Sequence, residues 1–238
     1  MSIIKYCFED FTDIRHILPL GRLAEIIQTC QQELDLHKLS EAIAGLADLS
    51  SDEPEVRSLV ATLTKCLASC EDHDFTASDI VNCLTGLQCM SCRYKEVRML
   101  VALCTAKLME GNLKMGCTDV ANAIYGLQGM NADSEEVVAL LDALTHQLGA
   151  SDEPVTSHAL NLFGYGMQRM SSDSETVARF VMVLTIKVGR SNTIYSGQAL
   201  VNGLFLMRSM TSESSEVLGW VELLTAKIND STRSLKSY

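Results

Sequence analysis

One spacing constrains what this chain can fold into. Gly86, Gly126 and Gly166 stand 40 residues apart with Gly45 a further 41 upstream, and Val56, Val97, Val137, Val177 and Val217 follow at 41, 40, 40 and 40. Five returns of one pattern mark an internal repeat array, in which each unit is a supersecondary element that buries its apolar face only against its neighbours. The pattern is clearest over residues 78–108, SDIVNCLTGLQCMSCRYKEVRMLVALCTAKL.

Two apolar stripes lie in each unit. The first opens at Leu39, Ile80, Val120, Leu160 and Leu200 and continues at offsets 3, 4, 7 and 10, ending at Leu49, Met90, Met130, Met170 and Met210. The second opens at the five valines and continues at offsets 3, 4, 7 and 11, ending at Leu67, Leu108, Leu148, Val188 and Ile228. Both sets fall on one face at 3.6 residues per turn. The expected fold is therefore all-α: an α-solenoid of antiparallel helix-turn-helix repeats, about five units plus an N-terminal cap, with helices of about 12–15 residues that are marginal alone in water. The glycine at 86, 126 and 166 would let each first helix approach its neighbour closely, and only the last unit replaces it, with Leu206.

Residues 1–38 read as the helical cap, 39–230 as the five repeats and 231–238 as a fraying tail, all in one continuous domain. Within the cap, Leu23, Ile26, Ile27, Cys30 and Leu34 set an amphipathic helix over 21–34, and a shorter helix before it closes at Pro19. Between the helices lie SSDEPE, SCRYKE, NADSEE, SSDSET and TSESSE. Asp52 with Glu55, and Asp133 with Glu136, have the spacing of a capping box, and Pro54 suits a first helical turn.

Charge narrows the partners. With 19 basic and 30 acidic side chains the net charge is −11, which disfavours unaided binding to a phosphate backbone. No run of about 18 apolar residues exists, so membrane association is expected only through partners. Nine cysteines, an odd number lying mostly within the helical pattern, behave as small buried hydrophobes of a reducing compartment. The opening MSIIKYCFEDF does not have the form of a signal peptide.

Candidate sites are few. Cys66 and Cys70, then Cys89 and Cys92, approach a zinc-ligand spacing, but the repeat register puts a whole first helix between the pairs, so no metal site is expected. His16, His37, His73, His146 and His158 make no i, i+4 pair, and no nucleophile stands near a base, so an enzyme is not expected. Asn82, Asn122 and Asn202 share one repeat position, where amides could hydrogen-bond an extended peptide; the alternative is a bond within the fold. Asp52, Glu53, Asp133, Glu135, Asp173, Glu175 and Glu213 should line one acidic edge, as a docking edge for a basic partner or as compensation of five helix N-termini.

The unit over residues 118–144, TDVANAIYGLQGMNADSEEVVALLDAL, resembles the roughly 40-residue helix-turn-helix repeats of algae with complex plastids, and the likeness covers about residues 38–230. It is more distantly similar to the octotricopeptide and RAP-associated repeats of organellar RNA-binding proteins, without their proline-rich motif. The resemblance implies an organelle, a plastid first and the cytoplasm as the alternative. The first expectation is a non-enzymatic scaffold or linker that bridges protein subunits of a larger complex, beside photosynthetic antenna proteins of a photosystem. No cofactor is expected of the chain itself; a pigment would be met only within the assembly. The second expectation is an organellar RNA-binding repeat protein, using a thin basic stripe of Lys107, Lys187 and Lys227 at one repeat position, with Lys65. The third is a peptide-binding adaptor using the three asparagines.

Overall fold

A computed structural model describes residues 20–29, 35–70, 75–110 and 113–235. Among these residues there are helices and no strand. They are α1 Leu20–Thr29, α2 Leu36–Ala44, α3 Pro54–Ala68, α4 Ala77–Thr85, α5 Lys95–Glu110, α6 Cys117–Tyr125, α7 Glu135–Ala150, α8 Ser157–Gly166, α9 Glu175–Arg190, α10 Gly197–Phe205 and α11 Ser215–Leu235, with a 3-10 turn at Leu206–Ser209. The helix expected before Pro19, and Cys30 and Leu34 of the cap stripe, lie outside the described residues.

Two rows of helices result. The even-numbered helices pack in succession from α2 to α10, and the odd-numbered ones from α1 to α11. Both apolar stripes point between the rows: in the inner units Ile80, Leu84, Leu87 and Met90 of one set, and Val97, Leu100, Val101 and Cys104 of the other, are buried. Across the rows, Phe163 meets Phe180 edge-on at 5.7 Å, and in the last unit, where Gly203 takes the place of Phe163, Trp220 Nε1 donates to the Gly203 carbonyl at 3.0 Å.

The first helices are shorter than expected, 9 or 10 residues, because each tightens at its end. Leu46, Leu87 and Leu127 donate three residues back, to Ile43, Leu84 and Ile124, and Met90, Met130 and Met170 likewise to 87, 127 and 167. Three residues per turn returns an offset of 3 to the same side, which is how the methionine ending the first stripe stays in the core.

At these ends the first helices approach one another backbone to backbone. A Cβ on Gly86 would lie 2.1 Å from the Ile43 carbonyl oxygen, on Gly126 2.2 Å from that of Leu84, and on Gly166 2.2 Å from that of Ile124. Space demands glycine here, since Gly86 and Gly126 are right-handed, with φ −60° and ψ −18°. The last junction is reversed: the glycine position holds buried Leu206, and the residue in the place of Ile43, Leu84 and Ile124 is Gly164, whose Cβ would lie 2.0 Å from the Asn202 carbonyl oxygen.

The helix starts differ from the sequence reading. Asp52–Glu55 and Asp133–Glu136 are not capping boxes: the N-cap of α3 is Glu53, with no side-chain cap bond, and that of α7 is Ser134, whose hydroxyl accepts from Val137 N. Instead, a small polar side chain opens every turn and accepts the amide two residues on: Ser50 from Asp52, Ser91 from Arg93, Asn131 from Asp133, Ser171 from Asp173, Thr211 from Glu213. These bonds, of the Asx type at Asn131 and of its hydroxyl counterpart at the four Ser and Thr positions, bend the chain before each second helix. Pro54 does sit in the first turn of α3. Of the expected fraying tail, residues 231–235 continue α11, which runs to Leu235 through a stretch, 228–235, with neither glycine nor proline, and residues 236–238 lie outside the described residues.

Candidate interaction surface

The asparagine position lies along the first helices and is engaged between units to differing degrees. Asn82 donates to Ser40 Oγ on α2 at 3.3 Å. Asn202, 4% exposed, donates to Asn161 Oδ1 on α8 at 3.1 Å and accepts from Gln198 at 2.8 Å. Asn122 is half-buried.

Three residues further on, one helical turn along the same face, stands a row that the sequence reading passed over: Thr85, Tyr125, Tyr165 and Phe205. Tyr125 and Tyr165 meet edge-on at 6.5 Å, and Tyr165 stacks on Phe205 at 5.7 Å. Both tyrosines are half-buried and Phe205 is exposed. Consecutive first helices thus present a continuous aromatic ridge across α6, α8 and α10, flanked by Asn122, by half-buried Leu162 and by exposed Val201. Its sequence signal was available, as aromatic residues recurring at the period of 40.

The acidic edge follows the turns before the second helices. Asp52, Asp133, Asp173 and Glu213 share one place in the turn, and Arg93 takes that place in the second unit. Arg93 pairs with Asp52 at 2.6 Å, and Tyr94 is held between the guanidinium groups of Arg57 and Arg93 at 4.4 and 4.5 Å. Arg57 and Arg98, one repeat apart, donate to the carbonyls of residues 51 and 52 and of 92 and 93. Glu53, Glu135 and Glu175 stand at the starts of α3, α7 and α9, where carboxylates favour the helix dipole.

The lysine row expected to face RNA reaches back into the fold instead. Lys187 donates to the Ser151 carbonyl and Lys227 to that of Ser191. Lys107 lies over the Phe75 ring at 5.3 Å, and at the same repeat position Gln147 donates to Leu113 O at 3.0 Å. Each ties down the loop that opens its own unit. Lys65 is exposed and off this row.

One cluster brings serine, histidine and aspartate together across α2 and α4. Asp79 is buried and accepts from Ser40 Oγ at 2.8 Å, from Thr76 N and Oγ1 at 2.9 and 2.7 Å, and contacts His37 Nδ1 at 2.9 Å. Burial alone would push this carboxyl up, but the hydrogen bonds from Thr76, His37 and Ser40 outweigh it and hold Asp79 below the usual carboxylate range. The aspartate stands between serine and histidine, and Ser40 is fully buried, so the hydroxyl is not presented to a substrate. The cluster caps α4 through Thr76 and Asp79 and clasps α4 to α2.

The thiols are placed individually. Cys92 is buried and its Sγ donates to Asn131 Oδ1 at 3.3 Å, Cys89 is exposed, and Cys70 Sγ donates to the Cys66 carbonyl at 3.4 Å. Contact with Cys104, together with burial, raises the Cys83 thiol, and burial pushes Cys117 up to about 11, so both stay protonated. No three His, Cys, Asp or Glu side chains converge on a common point among the described residues. Nor is any helix among them long and apolar enough to cross a membrane.

Comparison with protein-family models, with curated proteins and with solved structures finds no match for this chain.

Proposed function

We propose that this chain is a non-enzymatic scaffold, an α-solenoid of five helix-turn-helix units that bridges protein subunits of a larger assembly through the ridge of its first helices. The observation that carries this reading is the run of Tyr125, Tyr165 and Phe205, in mutual contact at 6.5 and 5.7 Å and open to solvent on one side. Aromatic side chains of this kind dominate the centres of protein interfaces because they offer large area at low entropic cost. The solenoid arrangement is supported by the succession of contacts within each row of helices. The plastid setting, beside antenna proteins, rests on the likeness of the repeat alone.

Aromatic rings can also stack bases, which keeps an organellar RNA-binding role as the second reading. Against it stand the stacking of the rings on one another and the internal bonds of Lys187 and Lys227. The adaptor reading through the asparagines is weakened at Asn202, whose amide is engaged on both atoms.

Sedimentation of the endogenous protein from a gentle lysate, with and without ribonuclease, tests the proposal. A large particle that ignores the nuclease, and that is lost when Tyr125 and Tyr165 are replaced by serine in a folded chain, is the expected result. Release by the nuclease installs the RNA reading instead.

A further inference from the structure

The last unit carries core residues where it has no neighbour. Val221 is 38% exposed, whereas Val60, Val101, Leu141 and Val181 at the same repeat position are 0%. Ile228 is 37% exposed against at most 4% for Leu67, Leu108, Leu148 and Val188, and Leu204 is 41% exposed where Ile43, Leu84 and Ile124 are 0%. With Val201, Phe205 and Leu218, also exposed, these residues make one apolar face across α10 and α11.

What covers such a face is seen elsewhere in the same chain. Ile43, Leu84 and Ile124 are each covered by the next first helix, whose glycine lies so close to their carbonyl oxygens that a Cβ would stand 2.1–2.2 Å away. The next second helix covers Val60, Val101, Leu141 and Val181, through the packing of α3 on α5, α5 on α7, α7 on α9 and α9 on α11. The occupant must therefore combine a glycine-notched helix over Leu204 with an apolar helix over Val221 and Ile228. A second copy fits poorly, because its Gly86, Gly126 and Gly166 are already covered by its own α2, α4 and α6, and α3, the hairpin partner of the α2 that ends at Gly45, is already packed on α1. Two such faces set against each other would bring large residues, not glycine, to Leu204.

We infer that the open face of α10 and α11 docks one further helical hairpin of the chain's own repeat design, with a glycine in its first helix, presented by a neighbouring subunit. This rests on the scaffold reading and names one of the contacts through which it acts.

The test is the full chain extended in register by a copy of residues 151–190 after Asp230, which would bring the copied Gly166 over Leu204. The extension should raise the thermal unfolding midpoint by roughly 5 °C or more in one transition and slow amide exchange in α10 and α11. Leu204→Lys with Val221→Lys should abolish that gain while leaving the helicity of the native-length chain unchanged. Expressed in its own cells, the extended chain, with its face filled, should fail to enter the particle that the native chain enters. An extension that brings no stabilisation overturns the inference. So does growth of the purified native chain with concentration that the two lysine substitutions abolish, which assigns the face to a second copy. If native and extended chains enter the particle equally, the inference falls and the scaffold reading stands; if neither enters one, the scaffold reading falls as well.

Discussion

Gly126 and Gly149 illustrate how little the residue type alone says. A Cβ on the first, which follows α6, would stand 2.2 Å from the Leu84 carbonyl oxygen, whereas a Cβ on the second would meet only Val183 Cγ1 at 3.8 Å. Replacing Gly126 by alanine should destabilise by about 1–3 kcal/mol, since the obstacle is backbone. Replacing Gly149 should gain about 0.5 kcal/mol from reduced freedom of the unfolded chain. Urea midpoints moving in opposite directions would bear this out. Asp79 gives a second expectation. Its folded value lies below its unfolded one, so its stabilisation is complete above the unfolded pKa of about 3.9 and is lost as pH falls through the folded value. In denaturation series at successive pH values, the gap between the native chain and Asp79→Asn should therefore close as the medium is acidified through that range. A gap unchanged at the acid end would show that the carboxylate charge contributes nothing.

Among the helices, equivalent positions have unequal consequences. Val181→Lys puts an unpaired charge into a fully buried site and should cost about 4 kcal/mol or more. Val221→Lys, one repeat later and exposed, should change stability by no more than about 0.5 kcal/mol. Thermal melts of the two variants settle the comparison. The inner burial pattern was legible before any coordinates, because offsets of 3, 4 and 7 admit one helical face and glycine at 86, 126 and 166 implies close approach. Helix starts were not. Acidic turn residues drew attention from Ser50, Ser91, Asn131, Ser171 and Thr211, whose short side chains make the bonds that shape the turns. Likewise Lys187 and Lys227 looked like a charged stripe, and no periodicity reveals that a long side chain folds back onto a loop carbonyl. The aromatic ridge was missed for a different reason: Thr85 breaks it in the second unit, so the pattern holds only from Tyr125 onward.

Across the whole molecule, stability should be distributed by neighbour rather than shared equally. Each helix row is a succession of like contacts, so amide protection is expected to be greatest in α5 to α9 and to fall along α11, whose outer side is open. Hydrogen exchange read by helix would detect a flat profile, contrary to this expectation. The reversed junction between α8 and α10 carries the longest reach. At three joints a glycine arrives and a large aliphatic residue receives it, and at the fourth Leu206 arrives and Gly164 receives. Excising residues 111–150 would set Gly166 against Leu84, an acceptable match, and that chain should still fold cooperatively. Excising residues 151–190 would set Leu206 against Ile124, bulk against bulk, and that chain should fold poorly or not at all. Units that look like beads on a string thus have an order of assembly written into them: the fifth can follow only the fourth.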